Sequence, residues 1–559
     1  MTRLKEEAVH KFFSNRKVVA LALLLFMALL LAVHNRFVQD DAFISFRYAQ
    51  NLAEGNGLVW NVGERVEGYT NFLWTVLLVP SFWLGVDIVA YSYLLSIFAY
   101  LITLLVGFLI AARVWGDKFA GFVTVFLLAA NFSFSSYATG GLETQFGIAM
   151  LLCFVWVIFK SAESNSLKWS ILAGVLAAFS IMTRMDSLLF VAPLSLYVLL
   201  ACKPVEHRHV IRKAVVYGLS AGGPLLLWLI LRHAYYNDWV PNTFHIKTQG
   251  SSWIRGGYYQ LLFYTMYGLV VPIGVSIFRF RALMDLCKEK LMAALMLAAL
   301  GLWGLYLLKV GGGFMEFRLM MCSFAFTAIL LSGLWCGSVI GRHAKILIML
   351  LLICGSVVHA AMQYPYPCIQ SVSELKKYHK EWEEVADCLN RAFGKNSSRV
   401  KIGVTCAGVI PFYTGMPALD LLGLNNRHIA EHGEHIEPAN SWVGNRPGHA
   451  RMAAWEDVIN AEVNLLINTP WLFQGDAEDL VRMGAEQIIR CWYWGEEFDK
   501  SRVSAAMVRY PSELVGCGKL PPVVAWPMSG DRYLVTVYTV YNEGVEEAIK
   551  DCGALVINR

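Results

Sequence analysis

The sequence predicts an α-helical polytopic membrane protein of about eleven spans, followed by a soluble α/β domain. Three observations carry this. The 559 residues are 57% hydrophobic and only 16% charged, where soluble domains carry roughly 25% charged residues; the mean hydropathy is +0.49. Apolar runs recur as far as His359, and a spanning helix needs about 20 residues. After residue 362 the texture turns polar and mixed.

The spans fall near 18–34, 89–112, 119–134, 144–159, 169–183, 187–202, 214–231, 259–278, 291–308, 319–341 and 346–362. The first has a basic start and an apolar core, but no small-x-small site follows Leu31, so it reads as an uncleaved anchor. The stretch "TNFLWTVLLVPSFWLGV" at 70–86 is short and holds Pro80 at its centre. Charge decides its reading. Without it, one alternate set of connections holds nineteen Lys and Arg, from Arg3 to Lys345, and the other holds nine, from Arg36 to Arg318. The basic set belongs in the cytoplasm, and counting 70–86 as a span would scramble the asymmetry. It therefore reads as an interfacial or re-entrant helix on the outer face. The expected organisation is a multi-pass domain over 1–362 in the cytoplasmic (inner) membrane, with a long outer loop at 35–88 and an outer, periplasmic domain over 363–559.

In that tail "YHKEWEEVADCLNRAF" reads as an amphipathic helix, and "RVKIGVTCA", "VNLLIN", "EQIIRCWYW" and "RYLVTVYTVY" read as strands. Six of the twelve cysteines lie there, at 368, 388, 406, 491, 517 and 552. None form CxxC pairs, which argues against zinc, and an outer location predicts at least one disulfide. His432 and His435 in "EHGEH" have metal-like spacing but no supporting ligands, so they read as a solvated loop. The net charge of +5 reflects basic membrane ends, and no Lys/Arg run with interleaved aromatics suggests nucleic acid. The short cytoplasmic connections carry no Walker A or dinucleotide fingerprint.

Polar residues gather instead in five outer connections. The first carries Asp40, Asp41, Arg47, Glu54, Glu64, Arg65 and Glu67. The second is "SFSSYATGGLETQ" with Glu143, and the third "TRMDSL" with Arg184 and Asp186. The fourth, "RHAYYNDWVPNTFHIKTQG", holds Asp238, Asn242, His245 and Lys247; the last, "KVGGGFMEFR", holds Lys309, Glu316 and Arg318. Ionisable groups at a membrane boundary usually line a cavity or face a partner. Carboxylates and cations together suit a substrate with an anionic head and a lipid tail.

The words "DDAFISFRYAQNLAEGNGLVWNVGERVEGYTNFLW", "TGGLET", "TRMDSLLF", "YYNDWVPNTFHIK", "VGGGFMEFR" and "AGVIPFYTGMPALDLLGLNN" resemble the GT-C glycosyltransferases. These polytopic enzymes take a sugar from a polyprenyl-phosphate carrier on the outer membrane face. Within them the match is nearest to the terminal arabinofuranosyltransferases. Two departures stand out: Met185 and Ser187 flank the Asp where the family has Pro and Gly, and Gly313 replaces an Asp. The resemblance implies inverting transfer of a sugar, an arabinofuranose or another pentose, to a periplasmic glycan, glycolipid or glycoprotein.

The resemblance places an acidic catalytic base after the first span, at Asp40 and Asp41. An acceptor hydroxyl must lose its proton as it attacks, whereas a departing phosphate needs none, so one carboxylate can suffice. The alternative is that Asp41 merely N-caps "AFISFRYAQNLAEG". Arg184, His245, Lys247, Lys309 and Arg318 are the expected donor-phosphate contacts, guanidinium being suited to phosphate. Arg184 with Asp186 equally reads as an ion pair between spans. Glu67, Tyr69, Asn71, Glu143, Asp186 and Asn242 are expected to contact substrate, though Glu143 could simply cap the next helix. No cofactor is required; a divalent cation is compatible with the paired acids, and no metal ligand set is defined. Asp420 in the tail either folds near the cavity or caps a turn. A flippase or transporter of lipid-linked sugars is the rival reading. It would show internal repeats and mid-bilayer charges, and neither is evident here.

Overall fold

A computed structural model describes residues 16–164, 166–201, 207–247, 253–363, 369–436, 447–494 and 520–557. Helix α1 (Arg16–His34) leads to α2 (Asp40–Ala53), α3 (Phe72–Leu84) and the long α4 (Ile88–Trp115). Then follow α5 (Lys118–Ala130), the short α6 (Phe132–Ser136), α7 (Thr144–Glu163), α8 (Lys168–Thr183), α9 (Leu188–Leu200) and α10 (His207–Tyr236). The bundle is completed by α11 (Asn242–Lys247), α12 (Trp253–Met266), α13 (Val270–Phe278), α14 (Phe280–Leu286), α15 (Lys290–Val310), α16 (Met320–Leu331) and α17 (Arg342–Met362).

Six of these helices are long and apolar enough to cross a membrane, or up to seven if a bent pair is one span. Four other expected spans coincide with the shorter apolar helices α5, α8, α9 and α16. The expected single span at 259–278 is corrected. The chain bends by 91° between α12 and α13, at Gly268 with φ +64. It does not double back. The Lys288 amide beyond α14 donates to the Val114 carbonyl, at the far end of α4, so the pair forms a broken span. Helix α3 buries Trp74, Leu78 and Val79, ends at left-handed Gly85 and leaves Trp83 and Leu84 exposed. Its 13 residues reach about 20 Å, and it belongs with the same class of shorter apolar helices as α5, α8, α9 and α16.

The two ends of the bundle differ chemically. At the far end Arg113 bridges Glu163 (2.6 Å) and Glu289 (2.9 Å), and Lys213 donates to the Ser161 carbonyl. At the other end the tail domain is seated. There buried Glu316 accepts from Ser133 and His359, each at 2.6 Å, and from the Val372 amide at 3.2 Å. This knot joins α6, α17 and the loop before α16 to the start of the tail.

The tail opens with α18 (Val372–Phe393), whose Ser371 and Glu374 form a capping box. A six-stranded sheet follows, in the order β2-β1-β5-β7-β6-β8. The strands are β1 (Ile402–Val404), β2 (Ala418–Asp420), β5 (Leu465–Gln474), β6 (Val523–Pro527), β7 (Arg532–Tyr538) and β8 (Leu555–Ile557), while β3 (Glu434–His435) and β4 (Arg451–Met452) form a separate antiparallel pair. Strand β1 pairs parallel to both β2 and β5, while β7 pairs antiparallel to β5 and β6. The short helix α19 (Val409–Thr414) connects β1 to β2. "EQIIRCWYW", expected as a strand, instead ends a helix over Ala477–Trp494. The stretch is two helices meeting at a kink at Gly484 (φ +73), and Ala485, Ile488 and Ile489 are buried at helical spacing in the second. Cys388, Cys406 and Cys552 are free thiols; the expected bridge falls to Cys368, Cys491 and Cys517, whose side chains lie outside the described residues. His432 ends a short helix and His435 is exposed. Among the described residues no group of three or more metal-ligating side chains is assembled.

Candidate active site

Helix α2 lies flat between the bundle and the tail, and its two acids face different neighbours. It begins at Asp40, with Gln39 at the N-cap position, so Asp41 is not the cap. Both acids sit in the first turn, where the helix dipole favours negative charge. Successive helical residues point about 100° apart. Asp40 turns to the tail: its two carboxylate oxygens accept from the backbone amides of Val409 (2.7 Å) and Gly408 (3.2 Å). Burial pushes the Asp40 carboxyl up to about 7, against the lowering effect of those amides. Asp41 is half-buried on the side of Tyr137.

The "TGGLET" loop braces this turn. The Phe37 amide donates to Thr139 Oγ1 at 3.1 Å, and Trp74 Nε1 donates to the Gly141 carbonyl at 3.2 Å. Gly141 has φ +77, and a Cβ there would lie 2.6 Å from the Ala42 Cβ. Gly141→Ala should therefore cost about 1–3 kcal/mol from backbone strain alone, read as a lower thermal midpoint of the detergent-purified protein. An unchanged midpoint would show that the loop relaxes freely.

Glu143 is the centre of a buried charge cluster. It is fully buried. It accepts from Arg184 Nη1 (2.7 Å), Arg318 Nη2 (3.1 Å) and Asn71 Nδ2 (2.8 Å). Burial would raise its carboxyl, but Arg318 and Arg184 hold it down at about 2. Asp186 closes the array by accepting from Arg184 Nε at 3.0 Å. Asn71 is in turn fixed by Ser45 and Thr75, both donating to its Oδ1 at 3.1 Å. Arg184 and Arg318 thus come together as the sequence suggested, already paired with carboxylates.

A narrow groove opens beside this cluster. It is small, and is lined by the polar residues Arg184, Asp186, Arg318 and Thr144 together with Ile148, Leu151, Phe190, Trp303, Leu319 and Cys322. Thr144 Oγ1 and Arg318 Nε have no hydrogen-bond partner among the described residues. Trp303, Cys322 and Thr144 were not legible as site residues, because apolar residues within predicted spans give no sign of which face lines a groove.

The remaining expected residues lie elsewhere at this end. Glu67 pairs with Arg232 (2.9 Å), which also stacks on Trp228. Tyr69 shares a hydrogen bond with Tyr236 at 3.2 Å. Asn242 donates to the tail carbonyls of Gly423 and Leu424, a docking contact. His245 meets Asp238 at 3.0 Å, and Asp238 also meets Arg427 of the tail at 3.4 Å. Lys309 is exposed in the last turn of α15. The Lys247 side chain lies outside the described residues. Asp420 caps a tail turn, accepting from the amides of Leu422 and Asn425.

A helical bundle with a charged, groove-bearing end under an α/β domain is the architecture of GT-C membrane proteins, and this chain has that fold. Two crystal structures of ArnT from Cupriavidus metallidurans match it, in the apo state and bound to undecaprenyl phosphate. Their TM-scores are 0.53 and 0.54 at 12% identity, covering 94% and 93% of this chain and 98% and 97% of theirs. Residues 83–230 match the family described as dolichyl-phosphate-mannose-protein mannosyltransferase, and residues 370–511 a domain of unknown function. The chain is also 28% identical over 262 residues to the terminal β-(1→2)-arabinofuranosyltransferase of Mycobacterium tuberculosis. That match spans 43% of this chain and 40% of the relative's length. The resemblance to GT-C proteins holds at the level of the fold.

Proposed function

We propose that the protein transfers a sugar from a polyprenyl-phosphate donor to a cell-envelope glycan, glycolipid or glycoprotein on the outer face of the inner membrane. The observation that carries this reading is the groove. Two guanidinium groups, a hydroxyl and the Asp186 carboxylate lie there beside aliphatic and aromatic side chains, a mixture that suits a polar head on a lipid chain. The relative from Mycobacterium tuberculosis supports arabinofuranose or another pentose as the sugar.

In this reading Asp40 takes the proton from the acceptor hydroxyl. The hydroxyl oxygen bonds to the anomeric carbon as the bond from that carbon to the phosphate oxygen breaks. Polyprenyl phosphate leaves, and the single displacement inverts the anomeric centre. Burial brings Asp40 near neutral proton affinity, where a general base is most effective. Glu143, held near 2, is a weak base and serves as the hub that orients the two arginines.

The test is transfer of radiolabelled sugar from a synthetic polyprenyl-phosphoryl arabinofuranose by the purified protein in detergent. Movement of the donor across vesicles with no transferred sugar would favour the flippase reading instead. Topology is a separate check. Nineteen basic residues against nine in the alternate connections place the N-terminus in the cytoplasm and the tail outside. An export-dependent phosphatase reporter at residue 400 should be active, and an inactive one there would invert the arrangement.

A further inference from the structure

We propose that the tail domain is a working part of the active site: the backbone amides of Gly408 and Val409 position the Asp40 carboxylate to accept the acceptor's proton. This gives a role to the region that matches a domain of unknown function, and it rests on the glycosyltransfer reading above.

The geometry is specific. Val409 donates to Asp40 Oδ1 at 2.7 Å and Gly408 to Oδ2 at 3.2 Å. One amide on each oxygen fixes the carboxylate plane and leaves each oxygen a further lone pair for a proton. Gly408 admits no side chain, because a Cβ there would land on the Asp40 carbonyl oxygen. The approach is held from several sides. Two turns along α2, buried Arg47 donates to the tail carbonyls of Pro411 and Met416 and stacks on Trp60. Asn61 exchanges hydrogen bonds with the Ala418 backbone, and Tyr48 meets Asn425. Phe43 contacts the rings of His379, Phe412 and Tyr413. The turn after β1 is therefore registered against α2 on both sides of the contact.

The titratable groups acting on Asp40 are Asp41 on the same helix, Asp420 at the end of β2 and the Cys406 thiol. The two acids raise its proton affinity, and so does burial; the two amides lower it. Losing an amide should therefore push the carboxyl further up and leave less base ionised near neutral pH. A contact that merely glued the domains together would not move that titration.

Two measurements on the full-length protein test this. The first is hydrogen exchange over residues 405–412, comparing wild type with Asp40→Ala. Exchange at 408 and 409 should quicken at least tenfold; equal protection would overturn the proposal without any assay of activity. The second is Val409→Pro, which deletes the shorter donor at a first helical position where proline is tolerated. Its kcat at pH 7 should fall about fivefold with the donor KM unchanged, and the acidic limb of its pH profile should rise by about one unit, the scale of one backbone bond to a carboxylate. A fall in kcat with an unmoved limb marks a structural contact and also overturns it. If Val409→Pro does not fold, the exchange comparison decides alone. A wild type that transfers no sugar fails the glycosyltransfer reading and this proposal with it. A wild type that transfers sugar, with either measurement unresponsive, fails this proposal only.

Discussion

Asp40→Asn should lower sugar transfer by at least ~10²-fold, the lower end of what a general base contributes, with expression and folding intact. Asn preserves the size of the side chain and keeps one oxygen to accept from Val409, but has no proton affinity in the relevant range. With Asp40 lifted to about 7, wild-type turnover should rise with pH and level off above neutrality, since the base must be ionised to act. The measurement is initial rate of transfer from polyprenyl-phosphoryl arabinofuranose against pH, alongside Asp41→Asn. If Asp41→Asn alone abolishes transfer, the base is the other acid. Near-full activity in both variants would remove the pair from catalysis. Glu143 would then be a poor substitute, because two arginines already hold it ionised far below neutrality.

Glu143→Gln should destabilise the protein by about 3–5 kcal/mol, the cost of removing one partner from a buried ion pair. The fully buried Glu143 carboxylate stands between Arg184 and Arg318. Without its charge two guanidinium groups face each other with Asp186 as the remaining acid. The variant should show a markedly lower thermal midpoint in detergent and lose transfer through displacement of the groove's polar residues. Arg318→Met in the same background should recover part of the loss, because the repulsion goes with the second charge. A midpoint within about 0.5 kcal/mol of wild type, as for an ordinary surface substitution, would mean that the cluster is solvated and Glu143 is free to meet substrate.

The positions of the helices were legible because lipid imposes a coarse rule of long apolar runs. Asp40, Asp41, Glu143, Arg184 and Arg318 stood out as candidates for a related reason, since charge beside an apolar run is costly. Other features were not. The break at Gly268 depends on a left-handed backbone inside a run whose composition looks uninterrupted. The run "EQIIRCWYW" was misread because it is rich in aromatic and β-branched residues, while the helix that holds it is fixed by the burial of Ala485, Ile488 and Ile489 beyond a kink at Gly484.

The sequence by itself determined a helical membrane protein with an α/β tail, a set of acids and cations at one face, and a first loop whose motifs resemble those of GT-C enzymes. Hydropathy, charge asymmetry and local motifs are properties of short stretches and survive without knowledge of the fold. Only the tertiary structure decided the pairings. Glu143, 41 residues from Arg184 and 175 from Arg318, became their common partner. Asp40 met amides 368 and 369 residues away, so two neighbouring acids that looked interchangeable were given different surroundings. Each outcome depends on which faces of distant elements are brought together in the packed chain, and a linear sequence fixes those faces only when every helix and strand is packed at once.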